Sequence, residues 1–152
     1  MPSVTPFLWF DTDLREPIEF YTSIFPEAAS TDVSPADDGP LYSAAIELCG
    51  QQLTLFHAGP PPASFTESIS LFVSVDSQEE IDVLWERLTA DGGEPGRCGW
   101  LKDRFGLSWQ VVPTVLGSLL GASDRTRAQQ ATDAMLQMTK LDIAALQAAY
   151  DR

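Results

Sequence analysis

Residues 4–10 form an aromatic-rich run of strand type, and Asp11-Thr12-Asp13 then supplies helix-capping side chains. Ile18, Tyr21 and Phe25 recur at helical spacing. Pro17 falls in the first turn, where its missing donor costs little, and Pro26 stops the helix. Strands are predicted at residues 28–33 and 41–48, separated by the turn-rich segment Ser34-Pro35-Ala36-Asp37-Asp38-Gly39-Pro40. Gly50-Gln51 leads into another strand at residues 52–57.

The same order then repeats. Residues 68–75 have strand character, and Asp76-Ser77 answers Asp11-Thr12 as a cap. A helix over residues 78–90 places Ile81, Leu84, Trp85 and Leu88 on one face and ends at Gly92-Gly93. Short strands at residues 94–98 and 100–102 lead through the turn Asp103-Arg104-Phe105-Gly106 to a last strand at residues 107–112. Setting Asp11 against Asp76 brings Ile18 onto Val83 and Phe20 onto Trp85. Setting Gly50 against Gly106 brings Leu53-Thr54-Leu55 onto Trp109-Gln110-Val111. Identity between the halves is faint, but order and punctuation agree, which predicts paired βαβββ modules. Beyond them, Ser123 or Asp124 caps a helix carrying Ala128, Ala131, Met135 and Met138 along one stripe. Asp142 caps a second with Ile143, Leu146 and Tyr150. Such a stripe serves core or dimer packing more often than cofactor binding.

Composition narrows the classes. A chain of 152 residues with 44% hydrophobic content, four Trp and eight Phe can build its own core as a single domain. A net charge of −13 repels phosphate backbones and anionic lipid, and no basic stripe offsets it, so neither nucleic acid nor membrane is an expected partner. The first residues lack the basic start and apolar stretch of a signal peptide, which points to the cytoplasm. Cys49 and Cys98 stand alone and far apart, read as free thiols or, alternatively, as one disulfide.

The run Cys98-Gly99-Trp100-Leu101-Lys102-Asp103-Arg104-Phe105-Gly106-Leu107-Ser108-Trp109-Gln110-Val111-Val112-Pro113 resembles the signature of the PhnB-like proteins, often labelled 3-demethylubiquinone methyltransferase-like. These are one branch of the vicinal-oxygen-chelate superfamily of glyoxalases, bleomycin-resistance proteins and extradiol dioxygenases. Pro6-Phe7-Leu8-Trp9-Phe10, Phe20-Tyr21 and Ile24-Phe25-Pro26 are similar to the same branch, as is the tail from Ala134-Met135-Leu136-Gln137-Met138 to Lys140-Leu141-Asp142-Ile143-Ala144-Ala145-Leu146. The resemblance implies an α+β fold: two βαβββ modules (about residues 4–58 and 68–113) forming an incomplete barrel around a cleft, plus C-terminal helices over 114–152. It also implies a homodimer.

In that superfamily four inward side chains, one on the first and one on the last strand of each module, can hold a divalent metal. The resemblance puts these positions at Thr5, Thr54, Ser70 and Gln110. None is an anion or an imidazole, so no cofactor is expected beyond a weakly held divalent metal. Strand parity adds Phe7, Trp9, Phe56, Phe72, Ser74 and Val112 to the same face, and sets Leu8, Phe10, Leu53, Leu55, Leu71, Val73, Val75, Trp109 and Val111 against the helices. Aromatic walls with a few hydroxyls and one amide suit a small hydrophobic or aromatic ligand, unless the rings simply fill the barrel. His57, the only histidine, ends its strand with parity opposite to Thr54 and belongs at the cleft rim, solvated or acting as a base. Arg97, Lys102 and Arg104 near the last hairpin are either solvated charges or partners for an anionic ligand.

Other chemistries lack their parts. One histidine without a neighbouring nucleophile makes no triad. Gly92-Gly93-Glu94-Pro95-Gly96 has no strand before it and no helix after it, so it is not a nucleotide loop, and the same lack undercuts a methyltransferase activity. Two readings stand: a protein that binds a small aromatic compound through Thr5, Phe7, Trp9, Thr54, Phe56, His57, Ser70, Phe72 and Gln110, or a glyoxalase-like lyase or isomerase using a weakly held metal or none.

Overall fold

The computed structural model describes residues 1–34, 39 and 41–152, so most of the turn expected at residues 34–40 lies outside the described residues. The chain divides into two compact units, Met1–Ser64 and Phe65–Arg152, with the boundary between the two repeats.

The first unit runs β1 (Phe7–Trp9), α1 (Arg15–Ile24), β2 (Ala29–Ser34), β3 (Ser43–Leu48) and β4 (Gln51–Phe56). Its open sheet has the order β1-β4-β3-β2, with β1 parallel to β4 and the other pairs antiparallel. The tight turn before β4 is Cys49-Gly50 rather than Gly50-Gln51. Both residues have positive φ (50° and 82°), as a two-residue hairpin turn of primed type requires. The N-cap of α1 is Leu14, which has no side-chain cap, and just before it the Asp13 carboxylate accepts the Arg15 amide at 2.9 Å. Leu8, Ala44, Ile46, Leu48, Leu53 and Leu55 share one face of the sheet and are buried, together with Leu14, Tyr21 and Ile24 from the α1 region. The alternation read from the sequence therefore holds for this sheet.

The second unit runs β5 (Ser70–Val75), α2 (Gln78–Leu88), a short 3-10 turn (Ala90–Gly92), β6 (Glu94–Pro95), β7 (Trp100–Lys102), β8 (Ser108–Pro113), α3 (Val115–Leu120), α4 (Arg125–Leu136) and α5 (Ile143–Tyr150). Strand order is β5-β8-β7-β6, again with the first pair parallel. Ser77 and Glu80 form a capping box at the start of α2, which buries Ile81 and Leu88. The two registers superpose: Phe7 pairs with Thr54 as Phe72 pairs with Gln110. Both offsets of the sequence repeat are thus met in one geometry.

Strand β6 is shorter than the predicted 94–98. Cys98 and Gly99 take positive φ, and their amides donate to Met138 and Thr139 at 2.9 and 2.8 Å, which pulls the backbone away from the sheet toward the C-terminal segment. That segment belongs to the core of this unit. Val112, Leu116, Leu119, Ala131, Leu141 and Leu146 make one buried cluster, with Met135, Met138 and Tyr150 packed against it. Gln78 clamps it further: its amide nitrogen donates to the Leu141 carbonyl (3.0 Å) and its oxygen accepts the Ile143 amide (2.8 Å). Val112 is consequently buried in this cluster, although alternation had put it on the open face. No helix among the described residues is long and apolar enough to cross a membrane.

Candidate functional site

Each sheet buries one face and leaves aromatic side chains on the other. In the first unit Phe7 is 59% exposed, and Trp9, Thr54 and Phe56 are half-buried beside it. Phe56 sits between its neighbours, 5.2 Å from the Phe7 ring and 5.0 Å from the Trp9 ring, the latter edge-on at 82°. The indole is held from outside the sheet, since Trp9 Nε1 donates to the Gly59 carbonyl at 3.1 Å.

His57 lies one residue past β4, and its Nδ1 meets the Phe10 carbonyl at 2.8 Å. A carbonyl can only accept, so Nδ1 carries the hydrogen and the neutral ring presents Nε2 as its acceptor. The Phe10 amide in turn donates to Phe56 O at 2.8 Å, so both polar backbone groups of residue 10 are engaged beside the aromatic cluster. Thr5 precedes β1 and is exposed, outside the paired part of the sheet.

In the second unit Phe72 is 57% exposed and Ser74 is also open to solvent. Ser70 and Gln110 are brought together, with the amide nitrogen donating to Ser70 Oγ at 3.0 Å. Across β7 and β8, Trp100 pairs with Gln110 and Lys102 with Ser108, while Glu94 pairs with Lys102. By alternation these residues share the face of Gln110. Beside them opens a cavity of about 560 Å³, within the range of small-molecule pockets, with Glu67, Glu94, Arg97, Trp100, Lys102 and Ser108 in its lining. Sequence reasoning passed over Trp100, Ser108 and Glu94. The signal was available, because applying parity from Gln110 across the short strand Trp100–Lys102 finds both Trp100 and Lys102.

The last hairpin is fixed by a buried acid. Asp103 is 2% exposed; its Oδ1 accepts the amides of Phe105 (2.9 Å) and Leu107 (3.1 Å), and its Oδ2 accepts Trp109 Nε1 (3.0 Å). This carboxylate sets the turn that delivers Ser108 and Gln110 to the open face.

Thr5, Thr54, Ser70 and Gln110, the positions that the resemblance implies for a metal, offer three hydroxyls and an amide. The Gln110 amide group is already turned toward Ser70. Neutral oxygen donors of this kind do not fit a tightly held divalent transition metal. Among the described residues no three His, Cys, Asp or Glu side chains gather into a metal-binding group.

Comparison with known proteins accords with this architecture. The family described as 3-demethylubiquinone-9 3-methyltransferase matches residues 2–112. None of the curated proteins matches the chain. Among solved structures, a PhnB protein from Bacillus cereus is 29% identical and superposes with a TM-score of 0.66, covering 74% of this chain and 100% of its own. A protein from Pseudomonas aeruginosa, 21% identical over 74% of this chain and 98% of its own, has a TM-score of 0.60. The fosfomycin resistance protein FosX from Listeria monocytogenes, 17% identical over 72% and 88%, shares the fold at a TM-score of 0.54. With a matching family over most of its length and this two-sheet α+β architecture, the chain belongs to the 3-demethylubiquinone-9 3-methyltransferase family, the PhnB-like branch of the vicinal-oxygen-chelate superfamily.

Proposed function

We propose that this protein binds a small, mostly aromatic molecule on the open aromatic faces of its sheets, without a tightly held metal, and works as a cytoplasmic homodimer. One observation carries the reading: Phe7, Trp9 and Phe56 form an ordered ring cluster on a face that their own unit leaves uncovered. Large aromatic side chains left partly exposed, yet braced by the Trp9–Gly59 and His57–Phe10 hydrogen bonds, are pre-organised to stack on a flat ligand. Thr5 and Thr54 supply neutral polar contacts on the face of the first unit, and Ser70 and Gln110 do so beside Phe72 on the second. Exposed Ile69, Val83 and Leu136, outside the aromatic faces, support association with a second copy, which light scattering at micromolar concentration tests.

The test of binding is calorimetric titration with 2-naphthamide, a neutral flat probe. Trp9→Ala should weaken binding to the face of the first unit, and Phe72→Ala binding to that of the second, each about tenfold, the equivalent of ~1.4 kcal/mol of lost contact. Affinity unchanged in both variants would remove the assignment of the aromatic face. Near-stoichiometric metal surviving dialysis of the purified protein would contradict the metal-free part.

A catalytic reading has one observation behind it, the His57 tautomer, which leaves Nε2 able to accept a proton. On that reading the protein is a metal-free lyase or isomerase, and His57→Ala or Gln110→Ala abolishes turnover while the fold stays intact.

A further inference from the structure

We propose that the cavity of the second unit takes the anionic end of the ligand, so that the molecule bound is an aromatic carboxylic acid rather than a neutral aromatic. This rests on the reading above that the open face of the second unit, which carries Phe72, binds an aromatic molecule, and it adds the ligand's charge to it.

The starting observation is a hydroxyl out of place. Ser108 is 1% exposed, lines the cavity, and its Oγ has no hydrogen-bond partner among the described residues. A buried hydroxyl without a partner costs about 1–3 kcal/mol, and such groups in native proteins usually await a ligand, ion or water. Directly across the β7–β8 ladder stands Lys102, on the same face. An acceptor placed there takes the Ser108 O–H and the Lys102 ammonium together.

Lys102 now pairs with Glu67 at 3.1 Å. Both side chains are substantially exposed (42% and 68%), and such pairs are worth only about 0–1 kcal/mol. A ligand carboxylate gains the lysine at little cost when Glu67, on the loop before β5, gives way. Arg97 adds a second cation at the lining. One of its terminal nitrogens is anchored on the Leu136 carbonyl at 3.1 Å, which fixes the side chain while leaving other N–H groups.

Ligand charge is limited from the other side. Glu67 and Glu94 line the same cavity, and the whole chain carries a net charge of −13. A dianion such as a phosphate monoester meets more repulsion than one lysine and one arginine offset. A monoanion with two oxygens, one for Ser108 and one for Lys102, matches the donors present. Trp100 lines the cavity and pairs with Gln110, which pairs on its other side with Phe72, so two aromatic side chains flank the Gln110 amide on the face beside the cavity.

The experiment compares 2-naphthoate with 2-naphthamide, equal in shape and different in charge, by calorimetric titration of the full chain at pH 7. The wild type should bind the acid about tenfold more tightly than the amide, as one charge-assisted contact of ~1.5 kcal/mol gives. Lys102→Met should erase that preference while leaving the amide's affinity within about twofold. Ser108→Ala should weaken the acid about threefold to tenfold without lowering the melting temperature, because it removes a hydroxyl that bonds nothing in the free protein. Equal binding of acid and amide by the wild type, or a preference that survives Lys102→Met, overturns the inference and leaves the aromatic-binding reading standing. Failure of both compounds to bind at millimolar concentration overturns the aromatic-binding reading and the inference with it.

Discussion

Replacing Asp103 by Asn changes one oxygen to a nitrogen in a residue that is 2% exposed and whose carboxylate accepts the Phe105 and Leu107 amides and the Trp109 indole N–H. The remaining carbonyl oxygen can keep the Phe105 and Leu107 amides, at 2.9 and 3.1 Å in the wild type. The new NH2 group then faces Trp109 Nε1, donor against donor, where a carboxylate oxygen stood at 3.0 Å. Turning the amide over only exchanges the fault, since the NH2 would meet two backbone donors instead of one. The variant therefore loses the charge-assisted bond to the Trp109 indole and weakens the two amide bonds to neutral strength. Together these cost about 2–4 kcal/mol. For a chain of this size that corresponds to a fall in Tm of about 4–16 °C. Urea denaturation followed by far-UV circular dichroism measures it. Because Asp103 shapes the turn ahead of Ser108 and Gln110, loss of near-UV signal should accompany the loss of stability. A variant within about 0.5 kcal/mol of wild type would refute the argument that this carboxylate organises the hairpin.

Two further substitutions test other joints of the second unit. Gly99 has a φ of +86°, and a Cβ there would lie 3.1 Å from Leu141 carbons and from the Val111 carbonyl oxygen. Gly99→Ala should therefore lower stability by about 2–4 kcal/mol in thermal or urea unfolding. Gln78→Ala removes both bonds of the clamp on Leu141 and Ile143, at a cost of about 1–3 kcal/mol. Its signature is faster amide exchange at Ile143 with little change at Ile81, the buried anchor of α2. Acid should loosen the same region. The hydrogen bond from Lys140, followed by that from Gln78, holds the Asp82 carboxyl below the ordinary value of 3.8. The folded state is thus favoured while Asp82 is ionised. That contribution is present above the unfolded value and is lost as pH falls through the lowered one. It is small because Asp82 is exposed to solvent, and Asp82→Asn removes it, a change visible as a flatter stability curve as pH falls below the ordinary value of 3.8.

Much of the fold was legible because the repeat supplied two independent offsets that had to agree. The pairings of Phe7 with Thr54 and Phe72 with Gln110 satisfy both, which ties the sequence alignment of the halves to strand geometry. Local signals were equally readable: Ser77, Asp124 and Asp142 each accept the amide that a capping residue should. What was not legible depends on partners distant in sequence. The shortening of β6 follows from Cys98 and Gly99 pairing with Met138 and Thr139. Val112 is buried by the C-terminal cluster against its alternation. Asp103 reads as an ordinary turn acid until Trp109 is seen to donate to it. The site shows the same division. Parity found the aromatic residues of the open faces, whereas the cavity of Lys102, Ser108 and Glu67 depends on a loop side chain that no periodicity locates.

On the proposed reading a flat aromatic molecule sits on the open face of the first sheet, and the indole N–H signals report on it directly. The chain has four Trp, and a Trp9→Phe variant identifies the signal of the indole that donates to the Gly59 carbonyl. Titrating nitrogen-15-labelled protein with 2-naphthamide should shift the Trp9 indole signal saturably, because ring currents from a stacked ligand act over only a few ångströms. Saturable binding that leaves the Trp9 signal in place, with shifts confined to Arg125–Leu136, would contradict the account.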